Sequence, residues 1–282
     1  MAEFVNNRNK KKRLFCEINP LFYKISVLKE KFKRKTKNLF SNEKFAQKKS
    51  SEILPIIISS WQSHLIKHGK GIDPTLQQNK AVNISIASNK INKLIIYPGE
   101  VFSFWKIVGK TSEKNGFKAG RVLVNNILKP GIGGGLCNLA NTIHRLILHS
   151  PLDVVEFHSH SDALAPDEGE RIPFNAGTSV NYNYIDYRFK NNTKQNFQLL
   201  TWCQDETLFA ELRAEYDIPF NYHLEEEDHH FHKEGEKYYR ISKIYRITTA
   251  KNGGLVIDKK LVRNNHSEVM FDYGLIPNEL IK

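Results

Sequence analysis

The sequence predicts an α+β fold: a mixed or antiparallel sheet packed with one central helix, preceded by a basic helical arm. Three observations carry this expectation. Gly131-Ile132-Gly133-Gly134-Gly135 puts four glycines in five positions, a backbone that must turn sharply or be approached closely. Directly after it, Leu139, Ile143, Leu146 and Ile147 recur near one face of a helix. On both sides of this pair lie short alternating apolar segments, bounded by Gly, Pro and Asn, that read as strands.

The N-terminal arm comes first. Residues 1–50 carry 15 Lys and Arg against 4 Asp and Glu, so +11 of the chain's +12 sits there. Leu14, Ile18, Leu21, Ile25, Leu28 and Phe32 form a helical stripe among these cations. Pro20 is expected to break or kink it. A basic amphipathic helix of this kind fits an anionic membrane surface. Residues 51–282 are nearly neutral, and no recognised nucleic-acid module accompanies the arm, so nucleic acid is not an expected partner.

Residues 51–93 read as a helical lead-in, with one helix over 51–68 and another from about Gln77 to Asn92. His64 and His68 have a spacing that zinc sites use, but no HExxH pattern joins them and no metal is expected. Leu94 to Tyr97 is a strand ended by Pro98-Gly99, and Glu100 to Phe104 is extended. Arg121 to Leu128 is a strand or hairpin arm leading to the glycine loop and its helix. Val154 to His158 and Ser179 to Phe189 read as strands. Phe197 to Trp202 and Leu208 to Leu212 pair as a hairpin around a turn, and Asn191-Asn192-Thr193 turns before them. The core domain is placed at 94–215. In the extension, 216–282, Tyr238 to Thr248 and Leu255 to Val262 are strands. The acidic, His-rich run Glu225 to His232 reads as a solvated loop, because ligand types without defined spacing are usually just exposed.

The cysteines are Cys16, Cys137 and Cys203, with no CxxC or CxxH spacing. Their odd, small number argues against a disulfide framework and fits a reducing compartment. No continuous apolar segment resembles a signal peptide or a membrane span. The expected location is cytoplasmic, peripheral at the inner membrane. Cys137 falls at the start of the central helix, where free N–H groups and the helix dipole favour an anion. A thiol there is expected to have a lowered pKa and to be a better nucleophile. The other reading is a tight turn with Cys137 simply buried.

Several stretches together resemble the VanW family. They are Tyr97-Pro98-Gly99-Glu100-Val101-Phe102-Ser103-Phe104, then Gly133-Gly134-Gly135-Leu136-Cys137-Asn138, then His160-Ser161 with Pro166-Asp167. Arg171-Ile172-Pro173-Phe174-Asn175-Ala176-Gly177 comes next, and last Asn183-Tyr184-Ile185-Asp186 with Asn191-Asn192-Thr193. The resemblance covers about residues 94–215. It implies a link to glycopeptide resistance and, by analogy with members understood to be cysteine L,D-transpeptidases, acyl transfer on peptidoglycan stem peptides. The partner it implies is a stem peptide or precursor, bound or cross-linked, with no cofactor. Carried over by position, Cys137 is the nucleophile and His160 the motif histidine. The sequence departs from the transpeptidase-like pattern in having Asn138-Leu139-Ala140-Asn141 after the motif, and Asn175 where the family prefers Gly.

Cysteine acyl transfer needs a thiolate, a base, an orienter for the base and donors for the oxyanion. Gly133, Gly134 and Gly135 would let a substrate carbonyl come near Cys137, and the N–H of Cys137 itself, or that of Asn138, would supply the donors. His160 is the candidate base and His158 its rival. Asp162 or Asp186 would orient the imidazole, and Arg171 would hold a substrate carboxylate.

Overall fold

The computed structural model describes residues 19–67, 72–124, 127–159, 162–163, 166, 172–174, 177–182 and 184–282. The chain divides into two compact units, Met1–Asn42 and Glu43–Lys282. The first holds helix α1 (Pro20–Phe40). Pro20 begins the helix instead of breaking it, since a first-turn proline gives up an N–H that has no helical partner anyway. Asn19 caps it by accepting from the Phe22 N–H at 2.9 Å. Leu14 and Ile18 lie outside the described residues, while Leu21, Ile25, Leu28 and Phe32 continue the stripe and are exposed.

The second unit is α+β. In chain order it contains β1 (Lys44–Phe45), β2 (Ile56–His64), α2 (Pro74–Ile91), β3 (Leu94–Ile96), β4 (Glu100–Ser103) and α3 (Phe104–Val108). Then come β5 (Ala119–Val124), β6 (Ile127–Ile132), α4 (Leu136–Leu148), β7 (Asp153–Glu156), β8 (Asp162–Ala163) and β9 (Arg188–Lys190). The last strands are β10 (Phe197–Gln204), β11 (Thr207–Ala214), β12 (Phe220–Glu234), β13 (Lys237–Ala250) and β14 (Val256–Val269). Among the described residues the sheets run β1-β4-β9-β7, β2-β11-β10-β3 and β12-β13-β14-β8, with β5 and β6 as a separate hairpin. Among these strand pairs, β1 with β4 and β14 with β8 are parallel and the rest antiparallel.

The expected central helix is α4. Leu139, Ile143, Leu146 and Ile147 are almost fully buried. They pack in one core with Ile96, Phe102, Tyr187, Phe189 and Leu212, drawn from two sheets. Burying each such side chain contributes roughly 1.5–3 kcal/mol, which fixes the glycine loop to a rigid element. The hairpin predicted around Asp205 is β10 with β11, in register from Phe197 opposite Ala214 to Gln204 opposite Thr207.

Three local expectations are corrected. The helix expected over 51–68 is not formed by its described residues, 51–67: β2 occupies 56–64 and pairs with β11. Ile56-Ile57-Ile58 is β-branched, its restricted χ1 suits a pleated surface better than a helix turn, and Pro55 sits just ahead of the strand. The Glu225–His232 run is not a loop but the middle of β12, paired to β13, with Glu227, Asp228 and His229 at a register shift. Glu225 and Glu227 are exposed while Glu226 between them is half-buried on the other face, so strand pairing and a charged face coexist. Ser179 to Phe189 is largely irregular, with strand only from Arg188, because Asn181 and Ile185 bridge across a tight turn.

Two of the motif stretches are bound to one another. The Gly99 N–H donates to the Asn191 carbonyl at 2.7 Å and the Asn191 N–H to the Glu100 carbonyl at 3.0 Å. The buried Asn191 side chain donates to Ile96 and Gln195 carbonyls at 2.9 Å and accepts from the Thr193 N–H and hydroxyl. Pro-Gly-Glu and Asn-Asn-Thr are therefore two halves of one turn clamp, each satisfying buried polar groups of the other.

Candidate functional site

The glycine loop is a close crossing of two backbones. A Cβ on Gly134 would lie 2.3 Å from the Gly120 carbonyl carbon. The Gly134 carbonyl accepts from Asn83 Nδ2 at 2.9 Å, and the same nitrogen donates to the Lys118 carbonyl at 3.0 Å. Asn83 Oδ1 accepts from the Lys118 N–H at 2.8 Å. One fully buried amide on α2 thus pins the loop and the strand beside it. The Gly133 N–H donates to the Lys118 carbonyl at 3.0 Å. Gly135 caps α4 at φ +100, a left-handed conformation that leaves no side chain in the cap position.

Cys137 is the second residue of α4 and is partly buried. Its Sγ lies 3.7 Å from the Val180 carbonyl, to which it donates. Burial pushes the thiol above its ordinary 9.0, and backbone hydrogen bonding at Val180 and at Cys137 itself pulls the other way by less. The expected lowered pKa is therefore not met: the helix start favours a thiolate, but removing it from water costs more. Lys80 supplies a further positive charge nearby, its stem lying against the position a Gly135 Cβ would take. Its own pKa is brought down to about 8 by burial, with Lys67 and Arg121 adding to the effect. In a Cys16→Ser, Cys203→Ser background, iodoacetamide should label Cys137 slowly at pH 7 and progressively faster as pH rises past 9. A rate that has already reached its plateau by pH 7 would contradict this assignment.

Asn138 donates through Nδ2 to Ser63 Oγ at 3.0 Å, tying the helix start to β2. Its Oδ1 is buried without a hydrogen-bond partner among the described residues. Asn141 is also positional: it donates to the Phe174 carbonyl at 2.9 Å and accepts from the Thr178 hydroxyl at 2.8 Å. That contact carries the Thr178–Val180 segment onto the face of α4 that holds Cys137.

His158 is hydrogen-bonded to this segment. Its carbonyl accepts from the Ser179 N–H at 2.8 Å, one residue before Val180. Its imidazole Nε2 lies 3.0 Å from Glu156 Oε1. His158 therefore has a carboxylate to orient it, and Glu156 is a partner that sequence reading did not single out. The signal was present as two polar residues, two apart, at the end of one strand. His160 and Arg171 lie outside the described residues, as does the side chain of Asp162.

Asp186 is described, and it is engaged elsewhere. It is buried and accepts from Ser103 Oγ at 2.6 Å, the Trp105 N–H at 3.2 Å, the Tyr187 N–H at 2.9 Å and Arg188 Nε at 2.7 Å. None of these partners is a histidine. The nearby buried histidine is His144, two turns along α4 from Cys137. It stacks on Phe157 at 4.4 Å, and its Nδ1 lies 3.2 Å from the Tyr187 hydroxyl. Burial first, then Arg263 and Arg145, lower its pKa to about 3, so it is neutral at physiological pH.

Among the described residues no group of three or more His, Cys, Asp or Glu is arranged to hold a metal ion. No described helix is long and apolar enough to cross a membrane.

The Cys137 thiol thus stands at a helix start behind a glycine crossing, and the segment that its Sγ contacts is hydrogen-bonded to the His158 backbone. Residues 79–213 match the family model described as VanW like protein. Over 227 residues the chain is 26% identical to the vancomycin B-type resistance protein VanW of Enterococcus faecalis (strain ATCC 700802 / V583), covering 80% of this chain and 82% of that one. Over 118 residues it is 27% identical to the uncharacterized protein YoaR of Bacillus subtilis (strain 168), covering 42% and 37%. No solved structure matches. Over residues 79–213 the chain is similar to the VanW family.

Proposed function

We propose that this protein takes part in cell-wall peptidoglycan metabolism linked to vancomycin resistance, by Cys137-dependent acyl transfer on stem peptides. The observation that supports this best is the contact of Cys137, at the start of α4, with the Thr178–Val180 segment, to which the Glu156-oriented His158 is hydrogen-bonded. In the reaction, the Cys137 thiol gives its proton to an imidazole as sulfur attacks the carbonyl carbon of a stem-peptide amide. The amide C–N bond breaks, the leaving amine takes that proton, and a thioester remains on sulfur. An amine of a second stem, or water, then releases the acyl group. The Gly135, Leu136 and Cys137 backbone N–H groups would face the oxyanion, the Asn138 N–H being taken by the Gly135 carbonyl.

A second reading is favoured by one observation. The raised pKa of Cys137 leaves a neutral thiol at pH 7, as suits a module that binds peptidoglycan precursors without forming a bond. For either reading we assign the basic arm to an anionic membrane surface, since α1 exposes Leu28, Phe32 and Leu39 beside Lys29, Lys31 and Lys35.

Intact-mass spectrometry after incubation with tetrapeptide or pentapeptide stems separates the two. Acyl transfer predicts an acyl-sized mass increase on the wild type that is absent from Cys137→Ala. Unchanged mass with equal stem affinity in both proteins would replace the enzyme with the binding module.

A further inference from the structure

The other end of α4 opens into a groove that the cysteine site does not use. It has a volume of about 320 Å³ and lies between β2, the C-terminal half of α4 and the start of β12. Ile57, Ile58, Leu146, Ile218 and Phe220 give it an apolar lining. Arg145 also lines it, eight residues from Cys137, which is roughly 12 Å along the helix.

Arg145 is the unexplained group. It is only 6% exposed. One guanidinium nitrogen donates to the Pro173 carbonyl, and the group lies 3.8 Å from the centre of the Trp61 ring. Its Nε is buried with no hydrogen-bond partner among the described residues. The groove's acid, Asp217, pairs with Lys251 and accepts from the Ile218 N–H. His149, beside it, uses Nδ1 on the Arg145 carbonyl and is itself held towards the neutral form, chiefly by burial. A guanidinium is effectively always charged, and a buried charge without a counter-ion is costly. Trp61 recovers part of that through cation–π attraction, but a ring face is not a carboxylate.

We propose that this groove is a second binding site, for an organic acid with an apolar body, its carboxylate paired to Arg145. The apolar walls take the body and the guanidinium fork takes the two oxygens. The carboxylate belongs either to the C-terminus of a peptide or to a free small acid. The site stands apart from any bond made by Cys137.

Titration calorimetry of the full chain tests this with three probes: N-acetylphenylalanine, its carboxamide, and 3-phenylpropionate. The first is the peptide-terminus mimic, the second removes only the charge, and the third is a free acid without the amide. At least one acid should bind saturably, with the carboxamide at least tenfold weaker. Whichever acid binds tighter identifies the source. Arg145→Gln should abolish acid binding and leave the cysteine adduct of the wild type in place. If Arg145→Gln does not fold, Arg145→Lys keeps the charge, gives up the guanidinium fork, and should weaken acid binding at least tenfold. No acid binding to the wild type, equal binding of acid and carboxamide, or undiminished acid binding in the Arg145 variants overturns the proposal.

Discussion

Gly134→Ala is expected to destabilise the second unit by about 3 kcal/mol or more, the upper end of what overpacking costs. The added methyl would lie 2.3 Å from the Gly120 carbon, 2.5 Å from its oxygen and 2.7 Å from the Arg121 nitrogen. All three are backbone atoms, held by the β5–β6 hairpin and by Asn83, so no side chain can swing away. The cost is purely steric, because Gly134 is not among the glycines with positive φ. Gly99 gives the opposite control. It has φ +81 and open space around its Cβ position, so Gly99→Ala carries only backbone strain of roughly 1–2 kcal/mol. Urea unfolding of the two variants separates the effects. Gly134→Ala should lose most of its folded baseline or show a much lower midpoint, with Gly99→Ala close to the wild type. Equal midpoints would mean that the two strands do not cross at Gly134.

The same loop shows what the sequence could and could not carry. Four glycines announced that two backbones meet, and the spacing of Leu139, Ile143, Leu146 and Ile147 announced the buried helix behind them. Both are local patterns. Which backbone meets the loop is Gly120, fifteen or so residues upstream, and what holds the crossing is Asn83 on α2. Nothing near Asn83 in the chain marks it, because its partners are carbonyls supplied only by the folded arrangement. The lead-in misread has the same origin. Ile57, Trp61 and Leu65 have a helical spacing, yet the edge of β11 offered hydrogen bonds along the whole of 56–64, and β-branched residues took them. The acidity of Cys137 was misjudged for a related reason: the dipole of a helix start is legible in sequence, whereas desolvation by the surrounding core is not. Glu156 and His158 were legible in principle, since alternate strand residues share a face.

Asp186→Asn should cost about 3 kcal/mol, the lower end of the range for removing one partner from a buried ion pair. The carboxylate accepts four hydrogen bonds, two on each oxygen. An asparagine keeps one acceptor oxygen and turns the other position into a donor. If its NH2 takes the Oδ2 side, it faces the Arg188 Nε–H, a donor against a donor, and the Ser103 hydroxyl must turn round to accept. If it takes the Oδ1 side, the Trp105 and Tyr187 N–H groups both lose their acceptor. Arg188 keeps Glu156 and Glu43, each at 3.5 Å, which is why the loss stays near the lower end. Arg188 sits in β9, inside the β1-β4-β9-β7 sheet, and Ser103 caps α3, so the effect should appear as a lower midpoint of global unfolding. This outcome separates two roles for Asp186. A residue that oriented a catalytic imidazole would lose cysteine-adduct formation with an unchanged unfolding midpoint. A residue that ties β4, α3 and β9 together lowers the midpoint, and the adduct yield of the remaining folded fraction stays at the wild-type level. Glu156→Gln makes the converse change. It keeps the Ser103 and Trp105 bonds to Asp186 and removes the carboxylate that orients His158 Nε2, so its larger effect should fall on the rate of adduct formation and its smaller one on stability. Finding the two variants reversed, with Asp186→Asn silent in stability and Glu156→Gln silent in the rate of adduct formation, would return Asp186 to the catalytic pair and take His158 out of it.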